Sequence, residues 1–419
     1  MLNKKILIIS NNALSDTNSN GRTLKNFFFA EDRENLAQFF IQPDSPDFNA
    51  CQSFFRATDG QVLRAFIKKK SAGGVVEECV TENKAVVDLK KKKTKKTPFT
   101  MLARNFVWSR KVWRSAFYRW VEEIKPEMVL LQAGDSPFLY NISREIATKY
   151  GVPLVIYNSE DYYFKSYNYF RDSGIWGIFY PLFRRTLKKA TKKAIEYSSL
   201  SIYISEDLKK LYDDEFDKNS DYIYTATEVT PCVKDNDQPV FSYLGNLGLN
   251  RHIGLVEIAN ALNSISKDYK LDVYGKLPND NVKAAFDACE SINYKGLVSY
   301  DEVKRVIKDS MLVFHTESFE KFYAKDIMHG FSTKVADSLA SGTCFVLYVP
   351  AHITCAKYVK ENDCALVISE ASELKDRLAE IIENKEKRSY YVDRATIVAE
   401  RNHNADKNRR KFADLINGL

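Results

Sequence analysis

Two α/β domains, each a Rossmann-like doubly wound parallel sheet and facing one another across a central cleft, are what this chain of 419 residues predicts. Three observations carry the prediction. Short apolar runs alternate with amphipathic helical stretches, the alternation runs through twice, and a polar stretch containing two prolines separates the rounds. A hydrophobic content of 45% is enough to fill a core in each domain.

The first round opens with a strand from Lys5 to Ser10, the polar loop SNNALSDTNSNGRT and a helical pattern from near Thr23. Next come the strand EMVLLQ, a helix from Tyr140 to Lys149, the strand VPLVIYN, a long amphipathic stretch to Glu196, the strand LSIYIS and a helix from Glu206. The alternation pauses at TATEVTPCVKDNDQP, which holds Pro231 and Pro239, and restarts at Val240. The second round reads VFSYLG, YKLDVYG, INYKG, MLVFH and CFVLYV, each followed by a helical stretch. Domains over 1–230 and 231–395 are expected, with a helix over 396–419 returning to the first.

Composition narrows the class. No apolar run reaches the roughly 18 residues that cross a bilayer, and Lys4 and Lys5 lead into a strand rather than a cleavable signal, so a cytoplasmic protein is expected. The cysteines Cys51, Cys79, Cys232, Cys289, Cys344, Cys355 and Cys364 are scattered without a CxxC, which points to reduced thiols rather than a disulfide framework or a zinc site. The net charge of +7 is concentrated in residues 61–120, where 16 Lys and Arg face 4 Asp and Glu.

Within that region lies the run Lys90, Lys91, Lys92, Lys93, Lys95 and Lys96, followed by Phe106, Trp113, Phe117 and Trp120 at helical spacing with Arg110, Lys111, Arg114 and Arg119 between them. Two readings stand. One is docking on an anionic membrane surface at the inner face of the plasma membrane, each basic residue near the headgroups contributing about 1 kcal/mol. The other is that the aromatics from Trp108 to Trp120 face a core and the lysines form a solvated loop. No helix-turn-helix, RNP-like or zinc-finger pattern accompanies the charge, so no nucleic-acid partner is expected.

Ligands of open parallel sheets bind beyond the carboxyl ends of the strands, and the chemistry-bearing loops fall there. The first is YLGNLGLNRHIG, Tyr243 to Gly254: Gly245 and Gly248 let a phosphate approach the backbone and Arg251 supplies a forked donor. By itself, an isolated glycine pair of this kind is more usually a plain strand-to-helix turn with a surface arginine. The second is HGFSTKVADSLASG, His329 to Gly342, where Gly330, Ser332 and Thr333 lead into a helix whose start, with Lys334, suits a diphosphate. Asp337, one turn on, suits a ribose diol, or simply complements the helix dipole. The aspartate-x-aspartate pattern Asp235, Asn236, Asp237 lies in the interdomain stretch and reads as a solvated turn, so no metal is implied.

In this order and at this separation, the two motifs resemble those of the family 4 retaining glycosyltransferases, which have the two-domain GT-B architecture. The family's donor loop reads Gly-Arg-Leu, three residues, then Lys-Gly; Gly245 matches the glycine, Asn246 stands for the arginine and Arg251 for the lysine. Its second signature is a glutamate, seven residues and a second glutamate before an Ala-Ser-Gly-like turn. Registered on Ala340, Ser341 and Gly342, those positions hold His329 and Asp337. The FSTK stretch resembles a subgroup acting in bacterial surface polysaccharide synthesis, such as capsule or lipopolysaccharide. YGK, ending at Lys276, and YKGLVSYDEV resemble the strand ends around the nucleobase, with backbone near Val298 and Ser299 holding the base. The resemblance covers residues 200–419 well and the first half in outline.

The resemblance implies an acceptor-binding first domain, a nucleotide-sugar-binding second domain and a donor that is a substrate, with no cofactor. The leaving diphosphate would assist deprotonation of the acceptor, while Arg251, Lys334 and amides near Ser332 neutralise its growing charge; losing either cation would raise the barrier by roughly 2–4 kcal/mol. His329 would contact the sugar and Asp337 the ribose. Three loops of the first domain fall at strand ends: Asn20, Gly21 and Arg22; Asp135 and Ser136; Glu160 and Asp161. Gly21 sits where the family places a glycine-rich loop near the donor phosphates, and Glu160 near a family histidine that contacts the transferred sugar; Arg22, Asp135 and Asp161 are acceptor candidates. Asp135 and Glu160 are equally suited to capping a helix or turn. Two other functions fit: a non-catalytic nucleotide-sugar or glycan-binding protein, since both family glutamates are replaced, and a sugar-nucleotide epimerase of the same fold.

Overall fold

The computed structural model describes residues 1–16, 18–78, 95–171, 173–231 and 237–419. The chain forms two compact units, one of Met1–Tyr224 with Asp406–Leu419 and one of Thr225–Ala405. The division therefore falls ahead of the proline-containing stretch.

The first unit holds β1 (Ile6–Ser10), β2 (Leu36–Phe40), β3 (Ser53–Arg56), β4 (Gly74–Val75), β5 (Met128–Gln132), β6 (Leu154–Asn158), β7 (Leu200–Tyr203) and β8 (Ser220–Tyr222). They lie in the order β4-β3-β2-β1-β5-β6-β7-β8, parallel except where β4 runs against β3. The second unit holds β9 (Phe241–Leu244), β10 (Leu271–Tyr274), β11 (Ile292–Gly296), β12 (Leu312–Thr316), β13 (Cys344–Tyr348) and β14 (Leu366–Ile368). Their order, β11-β10-β9-β12-β13-β14, is the doubly wound 3-2-1-4-5-6 arrangement, all parallel.

Helices cover both faces of such sheets, so central strands are apolar on both sides. ILIIS, MVLLQ, LVIYN and CFVLY are buried at every position. The strand β2 carries Gln38 in its middle, which hides it as a pattern. The amide is buried, accepting from the Leu14 N–H at 2.8 Å and donating to Ser10 Oγ at 2.8 Å.

The C-terminal segment divides in two. The helix Lys385–Asn402 stops at His403, whose buried ring lies 2.7 Å from the Thr225 carbonyl and 2.9 Å from the Tyr358 hydroxyl. The helix Ala405–Asn417 then packs in the first unit, with Phe412 stacked on Phe27 at 4.9 Å.

The aromatic region is core. Trp108, Trp113, Phe117 and Trp120 are buried, Phe117 lying 4.5 Å from Phe39 and Trp108 stacking on Phe138 at 4.6 Å. Lys90, Lys91, Lys92 and Lys93 lie outside the described residues, as do Asp235, Asn236, Cys79 and Cys232. Lys95 is exposed, and Lys96 donates to Asp135 at 2.8 Å. Among the described residues no helix is long and apolar enough to cross a membrane.

Candidate functional site

Each sheet reverses its winding once, between β9 and β12 in the second unit and between β1 and β5 in the first, and the loops leaving those strands diverge there. Of the predicted residues, Gly245, Asn246 and Arg251 follow β9, Gly21 and Arg22 follow β1 and Asp135 follows β5, whereas Lys276, Val298, Ser299, Glu160 and Asp161 follow the neighbouring strands β10, β11 and β6.

In the second unit, glycines end three adjacent strands. A Cβ on Gly275, after β10, would overlap the Gly245 carbonyl oxygen after β9, and the Gly275 N–H donates to the Gly296 carbonyl at 2.8 Å. Only glycine permits this approach. A Cβ on Gly245 would itself overlap Cε of Lys334 and come within 2.8 Å of its Nζ. The two predicted motifs thus meet: the lysine from the first turn of the helix Thr333–Ala340 occupies the space that a side chain at the donor loop would fill.

The loop after Gly245 is fixed from within. Asn246 turns its Oδ1 to the Gly248 N–H at 2.8 Å, and its carbonyl accepts from the Tyr243 hydroxyl at 2.8 Å. Leu249 and Asn250 adopt left-handed backbone (φ 62° and 56°), and Asn250 Nδ2 donates to Glu320 at 2.8 Å.

Arg251 opens the next helix, Arg251–Ile265, and is buried. Its Nε donates to Glu317 Oε2 at 2.7 Å and Nη2 to Oε1 at 2.8 Å, while Nη1 reaches the Gly248 carbonyl at 3.3 Å. The guanidinium that the resemblance lays on a phosphate is committed to a carboxylate and the loop backbone. Glu317 stands just past β12, also buried, with His315 Nε2 3.3 Å from Oε1. Burial alone would raise the Glu317 carboxyl, but His315 and the Arg251 charge outweigh it and hold it at about 2. Burial lowers His315, against the pull of Glu317 and helped by the charges of Lys334 and Arg251.

Asp337 is buried on the helix Thr333–Ala340, where its Oδ1 accepts from the Thr227 hydroxyl at 2.7 Å. Ser332 holds the N-cap position of that helix without a side-chain capping bond, and Thr333 is half-buried beside it. His329 is half-buried on the preceding loop, which Phe331 anchors by stacking on His403 at 5.6 Å. Lys276 is exposed after Gly275, Val298 is half-buried, and Ser299 caps the helix Tyr300–Asp309 by accepting from the Glu302 N–H at 3.2 Å.

In the first unit, the loop after β1 closes on the start of the helix Ser19–Lys25. The Gly21 N–H donates to Asn18 Oδ1 at 2.7 Å, a Cβ on Gly21 would overlap the Ala13 carbonyl oxygen, and Arg22 follows, half-buried. Gln132 at the end of β5 donates to the Asn20 carbonyl at 3.3 Å, and Ser136 Oγ donates to Asn11 Oδ1 at 3.2 Å, so the ends of β1 and β5 are tied together. Asp135 pairs with Lys96. Asp161 is a turn cap: its Oδ1 accepts from the Tyr163 and Phe164 N–H groups at 3.0 and 2.9 Å and from the Tyr212 hydroxyl at 3.1 Å. Glu160 is exposed. Burial, with the charges of Glu160 and Asp135, raises the Tyr162 phenol far above its ordinary value.

No protein-family model matches the chain, and no curated protein matches its sequence. Solved structures do. HepE of Anabaena in complex with UDP is similar at TM-score 0.66 and 11% identity, over 99% of this chain and 100% of that one. The fold is GT-B. TarM, known from S. aureus, matches at TM-score 0.64 and 10% identity over 99% of both chains. WaaG, a glycosyltransferase involved in lipopolysaccharide biosynthesis, matches this GT-B chain at TM-score 0.57 and 10% identity over 99% of this chain and 100% of that one.

Sequence reasoning missed Glu317, His315 and Thr227. Glu317 had a signal: an acid directly after an apolar strand at the winding reversal, where an unpaired carboxylate would be costly and a buried arginine is its natural counter-charge. Thr227 carried none.

Proposed function

We propose that this protein is a glycosyltransferase that takes a sugar from a nucleoside diphosphate donor bound by the unit Thr225–Ala405 and passes it, with retention and without a metal, to a glycan or lipid-linked acceptor bound by the first unit. The observation that carries the proposal is the meeting of Gly245 with Lys334, two positions far apart in sequence that a diphosphate site needs side by side. Lys334 and the amides starting the helix Thr333–Ala340 neutralise the leaving diphosphate. Asp337, oriented by Thr227, is the carboxylate that accepts from a ribose diol. Arg251 shapes the loop through Glu317 rather than meeting the phosphate. Glu160 and Asp135, on loops that follow β6 and β5, serve the acceptor.

Placement in bacterial surface polysaccharide synthesis rests on the FSTK motif, together with neighbours such as WaaG. On metals, Asp237 of the aspartate-x-aspartate pattern is taken up by Lys385 and Arg388, at 2.9 and 3.0 Å. The test is a thermal-shift panel of UDP, GDP and ADP: binding at a hundredfold excess over Kd stabilises the fold by about 2.7 kcal/mol. A shift with one nucleotide that Lys334→Ala removes is expected; a shift with none overturns the reading. Replacement of both family glutamates favours a non-catalytic binder as the second reading, which predicts the same shift but no sugar transfer or nucleotide release.

A further inference from the structure

The exposed apolar side chains of the first unit are gathered rather than scattered. Phe99 and Phe106 stand two turns apart on the helix Pro98–Trp108 and are 40% and 51% exposed. Phe99 stacks on Trp176 at 4.6 Å, and Trp176 lies in the turn Gly174–Phe179 between Ile175 and Ile178, which are 76% and 77% exposed. Phe106 meets Phe66 at 6.1 Å, on the helix Asp59–Lys68, whose Ile67 is 68% exposed. Three elements thus present one run of apolar tips, where a soluble monomer ordinarily carries single exposed residues.

Among the described residues, the charge beside the Phe66 and Phe106 end of this face is basic. Arg64, Lys68, Lys69 and Lys70 are exposed on and just after the helix Asp59–Lys68, and the exposed Arg110 lies 4.1 Å over the Phe106 ring. Asp59, the acid of that helix, is neutralised by Arg104 at 2.7 Å.

We propose that this face docks on an anionic lipid surface, with Ile175, Trp176, Ile178 and Phe99 entering the boundary between headgroups and acyl chains while the rim cations meet lipid phosphates. The charge chooses the occupant. A second copy of the chain meeting the face symmetrically would set the basic rim against itself, whereas an anionic bilayer offers the opposite sign to every rim residue at once. The inference concerns the first unit alone and does not depend on the transferase reading. It relocates the membrane contact from the aromatics of Trp108–Trp120, which are core, to the turn Gly174–Phe179 and its neighbours.

Co-sedimentation of the full chain with phosphatidylcholine vesicles, with and without phosphatidylglycerol, tests it at low and physiological salt. Binding to the anionic vesicles roughly tenfold tighter than to neutral ones, and weakened by salt, is expected. Ile175→Ser with Ile178→Ser is expected to reduce that binding by roughly tenfold or more with an unchanged melting temperature, since both side chains are exposed. Trp108, Trp113 and Trp120 are buried, so a lipid-induced blue shift of the fluorescence is expected to vanish in Trp176→Phe. Equal affinity for neutral and anionic vesicles, wild-type binding by the double variant, or a dimer in light scattering that the double variant abolishes would each overturn the proposal.

Discussion

The two units wind their sheets in the same 3-2-1-then-outward order, yet different chemistry stands at the two reversals. At the β9/β12 reversal, β9 and its neighbours β10 and β11 run out in glycine while Glu317 follows β12, and a lysine and a neutralised arginine fill the room. At β1 and β5 the strand ends are cross-braced by Asn11, Ser136, Gln132 and Asn20, and Asp135 beyond β5 pairs with Lys96. The first arrangement suits an anion with its own oxygens; the second suits hydroxyls. Topology places a site, and the side chains at the reversal decide what it takes.

Cutting an ion pair at each reversal tests that contrast most strongly. Glu317→Ala leaves Arg251 buried without its counter-charge and is expected to destabilise by roughly 3–5 kcal/mol, read as a lower melting temperature. Asp135→Ala, whose partner Lys96 is exposed, is expected to cost under about 1 kcal/mol. Equal losses would break the comparison.

Acid provides the next effect. Burial lowers His403 to about 4 from its ordinary 6.5, so between those values the unfolded chain takes up a proton that the folded one refuses. Stability therefore falls as pH drops from about 6.5 to 4, by on the order of 3 kcal/mol, and a His403→Gln variant is expected to lack that slope. Glu317, held at about 2 from an ordinary 4.5, adds a second loss in the window below: its carboxylate contribution is present above 4.5 and fades as pH falls towards 2. A pH series of melting temperatures in both proteins shows whether the upper window belongs to His403.

Smaller effects sharpen the anion assignment. Lys334→Ala is expected to leave the melting temperature near wild type and weaken nucleoside diphosphate binding by about 2 kcal/mol, roughly thirtyfold. Arg22→Ala in the first unit is expected to leave that affinity unchanged. Gly245→Ala displaces the flexible end of Lys334 and puts a side chain on a backbone conformation that favours glycine, so a loss of affinity with a fold cost of about 1 kcal/mol is expected. Gly275→Ala drives a methyl into the Gly245 carbonyl oxygen, which cannot swing aside, and is expected to cost up to about 3 kcal/mol of stability.

The second unit was the more legible in sequence because its signals are local. Strand ends marked by Gly245 and Gly275, and a hydroxyl-rich loop before a short helix, show in a few residues what the backbone does there. The partner of Arg251 was not legible. The guanidinium could serve a phosphate or a carboxylate, and only packing brings Glu317 to it across 66 positions. In the first unit, β2 was masked by Gln38, whose buried amide makes an internal strand look polar, and β3 by its four-residue length. The aromatic helix spacing of residues 106–120 fitted a core and a membrane face equally, since periodicity reports that one side is apolar but not what covers it.

The claim that the β9/β12 reversal holds a nucleoside diphosphate is tested most directly by isothermal titration of the purified chain with UDP, GDP and ADP, repeated with Lys334→Ala. One nucleotide binding the wild type at a single site, and roughly thirtyfold more weakly to the variant, is the predicted result. Binding of none, or affinity that Lys334→Ala leaves untouched, would contradict it.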